Sequence, residues 1–112
     1  MCSPSGRRWP VAEALQLEMG YSLAEFRRTL EGGFSAPQSG FVVTRCGTGR
    51  WHLTIADHPL TVEISATPAP PRRLGAMTLP VLEVSLLFTS GDKAGRQRFF
   101  DRFWRHFHKG GG

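Results

Sequence analysis

Cysteine is scarce in this 112-residue chain, which contains only Cys2 and Cys46. Two cysteines are too few for the disulfide framework of a small secreted domain. Long apolar runs are also missing, since no stretch approaches the roughly 18 residues of a membrane-spanning helix. Glu13, Gln16 and Glu18 interrupt the only N-terminal segment that could serve as a secretory signal. The sequence therefore predicts a cytoplasmic protein without a membrane segment.

Lysine is equally rare. Of the 14 basic residues, only Lys93 and Lys109 are lysines and the rest are arginines. The net charge of +5 and the isoelectric point near 10.2 favour an anionic partner. A strong preference for arginine over lysine is also what GC-rich coding produces, so the charge alone does not decide the function.

The length of the chain predicts a single domain, because 112 residues fall within the usual range for one core. Hydrophobic residues make up 40% and charged residues 21%, a globular balance. We expect a flexible N-terminal tail over residues 1–10, one domain over 11–109 and a glycine tail over 110–112.

The first part of the domain predicts a strand followed by a helix. Apolar residues alternate with polar ones from Leu15 to Met19, which is the period of a half-buried strand. Ser22 and Glu25 have the spacing of a capping box at a helix start. Gly32-Gly33 then predicts the end of that helix, since glycine often supplies a left-handed terminal residue.

Four further strands are predicted in the middle of the chain. Residues 41–46, 51–55 and 60–64 are rich in alternating or β-branched residues and indicate an antiparallel meander. Residues 82–88 alternate most clearly, with Leu87 as an apolar exception on the polar face. Residues 67–80 carry four prolines, and we expect a long irregular connection or edge segment there.

An aromatic C-terminal helix is predicted between Ser90 and Lys109, with a polar start at Thr89, Ser90 and Asp92. Its rings recur at spacings of three and four, so they form one stripe: Phe99, Phe100, Phe103, Trp104 and Phe107. The stripe could line a pocket for an apolar ligand, but in so small a domain we favour a core role.

The predicted class is α+β, a mainly antiparallel sheet of about five strands in the order β-α-β-β-β-β-α, packed on two helices. This order resembles that of the TATA-binding-protein-like and helix-grip architectures, in which a sheet curls over a C-terminal helix, and the likeness rests on element order alone. The expected core consists of Leu17, Phe26, Val43, Leu53, Ile55, Val62, Ile64, Val84, Leu86, Phe99, Phe103 and Phe107.

Arginines provide the candidate binding residues. Arg72 and Arg73 lie in the proline-rich segment, and Arg98, Arg102 and Arg105 follow one face of the last helix. Together they could contact phosphates, although solvated helix faces often carry such charges. No RNA-binding sheet motif, zinc finger or recognition helix accompanies them.

Catalytic and metal sites are not predicted. The four histidines, of which His106 and His108 are closest, lack ligand spacing and are expected at the surface. Cys46, His52 and Asp57 loosely suggest a nucleophilic triad, but pairing about the glycine turn would place Cys46 opposite Arg50. We expect no enzyme activity, no cofactor and no metal.

The terminal Gly111 and Gly112 suggest a carrier tail like that of ubiquitin-like proteins, although here the glycines follow a helix. The favoured function is a non-enzymatic binding or accessory module that contacts a protein partner through a basic surface. RNA or DNA binding is the first alternative, and an apolar-ligand binder or glycine-tailed carrier is the second.

Overall fold

The computed structural model describes residues 13–55 and 60–107. In chain order the elements are β1 (Glu13–Met19), α1 (Leu23–Phe34), β2 (Phe41–Gly47), β3 (Arg50–Ile55), β4 (Leu60–Leu74), β5 (Met77–Gly91) and α2 (Lys93–His106), with a short 3-10 turn at Pro37–Ser39. The predicted α+β class and element order are confirmed.

The five strands form one antiparallel sheet in the order β1-β5-β4-β3-β2. Alternate residues of the inner strands, such as Val62 and Leu86, are fully buried beneath the helices. The opposite face carries threonine, serine, histidine and glutamate side chains, with Leu87 half-buried among them as expected. No described helix lies on that polar face.

The core agrees closely with the expected set, since ten of its twelve members are buried. Leu17 and Val43 are the exceptions and are only half-buried, because they lie on the edge strands β1 and β2. Alternation alone does not identify an edge strand. The largest fully buried side chains outside the expected set belong to Trp51, Phe34, Leu30 and Leu82.

Helix α1 begins as predicted and ends later than predicted. The Ser22 Oγ accepts a hydrogen bond from the Glu25 amide at 3.1 Å, and the Glu25 carboxylate accepts one from the Ser22 amide at 3.1 Å. The expected stop at Gly32-Gly33 is wrong, because the helix continues through both glycines to Phe34.

Gly33 serves helix packing instead of helix termination. A Cβ atom placed there would lie 2.8 Å from the imidazole ring of His106 on α2. Glycine therefore lets the two helices approach closely. The same contact leaves His106 half-buried, although a surface histidine was expected.

Helix α2 begins after Asp92, whose Oδ1 accepts a hydrogen bond from the Gly95 amide at 2.8 Å. Strand β5 extends to Gly91, so the helix starts slightly later than the predicted Ser90. Three rings of the aromatic stripe are buried and face the sheet and α1, namely Phe99, Phe103 and Phe107. Phe100 is half-buried and Trp104 is 45% exposed, so only part of the stripe is core.

Of the two expectations for residues 67–80, the irregular connection is wrong, because β4 and β5 continue through it as one long hairpin, and the edge segment agrees with the structure. Strand β3 pairs with β4 only up to Ser65, and β1 pairs with β5 only from Leu82 onward. Residues 67–81 therefore form a two-stranded ribbon beyond the sheet, which we call the arm. Its prolines are tolerated because no third strand needs their missing amide hydrogens.

Candidate interaction surface

The tip of the arm exposes two large apolar side chains. Leu74 and Met77 are cross-strand partners on either side of the turn at Gly75, which has φ of 62°. Leu74 is 55% exposed and Met77 is 62% exposed. Cross-strand partners lie on the same face of a ribbon, so these two side chains form one small apolar patch.

Two arginines accompany the apolar patch. Arg72 and Arg73 are exposed on β4 directly before Leu74, and residues 67–81 contain no acidic residue. The Arg72 Nη2 lies 2.8 Å from the Glu18 Oε1 on β1, and more than half of each side chain is exposed. Such a pair contributes little stability, but it ties the arm to the edge of the sheet.

The three arginines of the predicted helix face differ in their surroundings. The Arg102 Nε donates a hydrogen bond of 2.7 Å to the Gly33 carbonyl near the end of α1. Arg98 is half-buried, and its guanidinium lies beside Gly40. Only Arg105 is exposed. Two of the three therefore have roles in packing α2 against α1 and the loop that follows it.

A carboxylate on α1 organises a polar cluster that sequence reasoning missed. The Glu31 oxygens accept two hydrogen bonds of 2.8 Å from the Arg45 guanidinium and one of 2.9 Å from the Trp51 indole Nε1. These contacts join α1 to β2 and β3. No local pattern signals them, since the two partners lie 14 and 20 positions from Glu31.

The same contacts set the ionisation of Glu31. Hydrogen bonds from Arg45 lower the pKa of the Glu31 carboxyl; partial burial opposes this shift, and the Trp51 indole hydrogen bond supports it. A carboxyl whose folded-state pKa is lowered contributes stability above its unfolded pKa of about 4.3. That contribution is lost as the pH falls through the lower, folded-state pKa.

We expect Glu31→Gln to reduce the free energy of unfolding by about 1 kcal/mol at pH 7, because the half-exposed Arg45 limits the value of the ion pair. The difference from the wild type should begin to shrink as the pH falls below the ordinary glutamate pKa of about 4.3 and should vanish below the lowered pKa of folded Glu31. Urea unfolding at several pH values measures both effects. Glu83→Gln, which removes an exposed carboxylate, is the control, and an equal pH dependence in both variants would contradict the assignment.

The described residues contain no group of three or more histidine, cysteine, aspartate or glutamate side chains able to hold a metal ion. Cys46 is disulfide-bonded and is not a free nucleophile. The expected pairing of Cys46 with Arg50 is wrong, because an irregularity in β2 places Gly47 opposite Arg50. His52 lies opposite Thr44.

Several predicted features lie outside the described residues, including Asp57, His58, His108 and the terminal Gly111 and Gly112. Within the described ranges, no helix has the length and apolar character required to cross a membrane. Comparison with protein-family models, with curated proteins and with solved structures finds no match for this chain.

Proposed function

We propose that this protein is a non-enzymatic protein-interaction module that recognises its partner through the arm. The observation that carries the proposal is the exposed pair Leu74 and Met77 at the tip of a projecting ribbon, with Arg72 and Arg73 beside it. Exposed apolar residues that cluster at one place on a small protein indicate a surface that a binding partner covers. The partner surface should offer an apolar depression edged by carboxylates.

A protein partner fits the arm better than a nucleic acid does. The arm supplies only two cations, whereas tight phosphate tracking usually needs several. Glu18 and Glu83 lie at the base of the arm on the polar face of the sheet, where they would repel a phosphate backbone. Leu74 and Met77 would gain nothing from phosphates, but would be buried in a protein interface.

The test compares affinity capture by three forms of the protein, followed by quantitative mass spectrometry. Leu74→Ser combined with Met77→Ser removes the apolar tip, and Val42→Ser removes an exposed apolar residue, 53% accessible, on the far edge strand. We expect the amount of at least one captured partner protein to fall at least about tenfold with the tip variant, because truncation of interface anchors weakens binding by that much. The Val42 variant should retain it.

Thermal unfolding should be unchanged in the tip variant, because both side chains are largely exposed and lie beyond the sheet. Equal recovery of every captured protein by the wild type and the tip variant would contradict the proposal. The nucleic-acid alternative would be favoured by binding of RNA or DNA that weakens as the salt concentration rises. That binding should be lost in the double variant Arg72→Glu with Arg73→Glu and should survive in the tip variant.

The cytoplasm is the compartment proposed with this function. The disulfide at Cys46 weighs against that part of the proposal, because disulfides are rare in cytosolic proteins. The carrier alternative depends on Gly111 and Gly112, and nothing in the described residues favours it. The buried rings of α2 pack against one another at centroid distances of 4.6 and 5.4 Å, which supports their core role over the ligand-pocket alternative.

A further inference from the structure

A cleft lies between the start of α1 and the turn that joins β2 to β3. Its volume is about 370 Å³, within the roughly 300–1,000 Å³ typical of small-molecule sites. Leu23 and Arg27 of α1 line one wall, and Arg45, Thr48, Gly49 and Trp51 line the other. The cleft is separate from the arm tip, so it does not depend on the proposed function.

The interior of the cleft combines apolar surface with a fixed aromatic ring. Trp51 is 1% exposed, and its indole Nε1 is held by Glu31 at 2.9 Å. The Leu23 side chain reaches the turn, since a Cβ atom on Gly49 would lie 3.7 Å from the Leu23 Cδ1. A larger residue at Gly49 would narrow this space. The helix and the turn therefore offer apolar surface on both sides of a partly open cleft.

Positive charge surrounds the opening. Arg27 is exposed, and Arg45 is half-exposed with two of its five guanidinium hydrogens donated to Glu31. A second depression shares both arginines and adds Arg28, with Glu31 as its only acidic lining residue. Because Glu31 accepts three hydrogen bonds already, the local charge of three arginines and one carboxylate favours an anion.

We propose that this cleft binds a small ligand in which a phosphate or carboxylate group is joined to an apolar body. Arg27 and Arg45 would hold the anionic group, and the Leu23 side chain, together with the small exposed part of Trp51, would contact the apolar part. Charge complementarity selects the head of the ligand, since arginine pairs well with both anions. The Trp51 ring and the glycine turn limit how large the apolar part can be.

The test is an amide NMR titration of the labelled full-length chain with octyl phosphate and with octanoate, both below their aggregation concentrations. The Trp51 indole N–H and the Gly49 amide are the reporters, because both residues line the cleft. We expect saturable shifts with at least one of these two probes. Octanol lacks the anionic group and inorganic phosphate lacks the apolar chain. Each should therefore bind at least about tenfold more weakly than the anionic probe.

Matched variants assign the binding to the cleft. Arg27→Glu should lower the affinity for the anionic probe at least about tenfold, and Arg27→Lys should retain most of that affinity. Lys93→Glu makes the same charge change on exposed α2 and should have no effect. The proposal is overturned if neither anionic probe shifts the reporters, if octanol binds as tightly as the anions, or if Lys93→Glu weakens binding as much as Arg27→Glu.

Discussion

Phe103→Ala should lower the free energy of unfolding by about 3–5 kcal/mol, the usual cost of removing a buried phenylalanine ring. Phe103 is fully buried, and its ring lies 5.4 Å from that of Phe99 and 4.6 Å from that of Phe107. Phe107 in turn stacks on Phe26 of α1 at 4.9 Å. The ring is therefore the centre of a cluster that joins both helices to the sheet.

The loss should be a large share of the ~5–15 kcal/mol that stabilises a domain of this kind. Alanine is a better helix former than phenylalanine by about half a kcal/mol, so helix propensity cannot explain a loss. Trp104→Ala, which truncates the neighbouring ring that is 45% exposed, is the control and should cost much less. Urea unfolding measures both variants, and a loss below about 1 kcal/mol for Phe103→Ala would contradict the central role of α2.

Local sequence patterns predicted the elements well because each pattern had one physical cause. Residues alternate in β5 because one face of the strand packs against the helices. The capping box at Ser22 and Glu25 forms as expected. The aromatic spacing of α2 correctly identified Phe99, Phe103 and Phe107 as core. Each of these features needs only a few neighbouring residues to specify it.

The features that sequence could not predict depend on tertiary contacts. Gly33 was expected to end a helix, but its purpose is set by the imidazole of His106, 73 positions later. Proline is incompatible with a strand only where a neighbouring strand needs its missing amide hydrogen, and no third strand pairs with the arm. The sequence does not show this, because it does not give the order of the strands in the sheet. The Glu31 cluster likewise unites residues from three elements.

The candidate site shows the same division. Arg72 and Arg73, the predicted binding residues, are exposed, but no sequence pattern identifies the apolar pair Leu74 and Met77 as part of the surface. In the sequence they are two ordinary core-type residues beside a turn. They become a candidate site only because the hairpin extends beyond the sheet, where nothing in the described structure covers them.

Gly49→Ala should destabilise the fold by about 2–5 kcal/mol, for two separable reasons. Gly49 has φ of 76°, a left-handed conformation that costs an alanine about 1–2 kcal/mol. A Cβ atom there would also lie 2.5 Å from the carbonyl oxygen of Ala66 on β4. The Gly49 carbonyl accepts a 2.8 Å hydrogen bond from the Ala66 amide, so β4 cannot move away freely. The shifts in structure that remove this overlap should add about 1–3 kcal/mol to the loss of stability.

Two other glycines of the chain separate these causes. Gly75 has φ of 62°, and a Cβ atom at that position would have no neighbour within 4 Å, so Gly75→Ala should show the conformational cost alone, about 1–2 kcal/mol. Gly47 has neither a positive φ nor a close neighbour, and alanine there should be neutral or slightly stabilising. Urea unfolding should rank the variants Gly49→Ala, Gly75→Ala and Gly47→Ala from most to least destabilising. Equal losses at Gly49 and Gly75 would show that backbone conformation, and not the contact with Ala66, determines which residue the β2–β3 turn accepts.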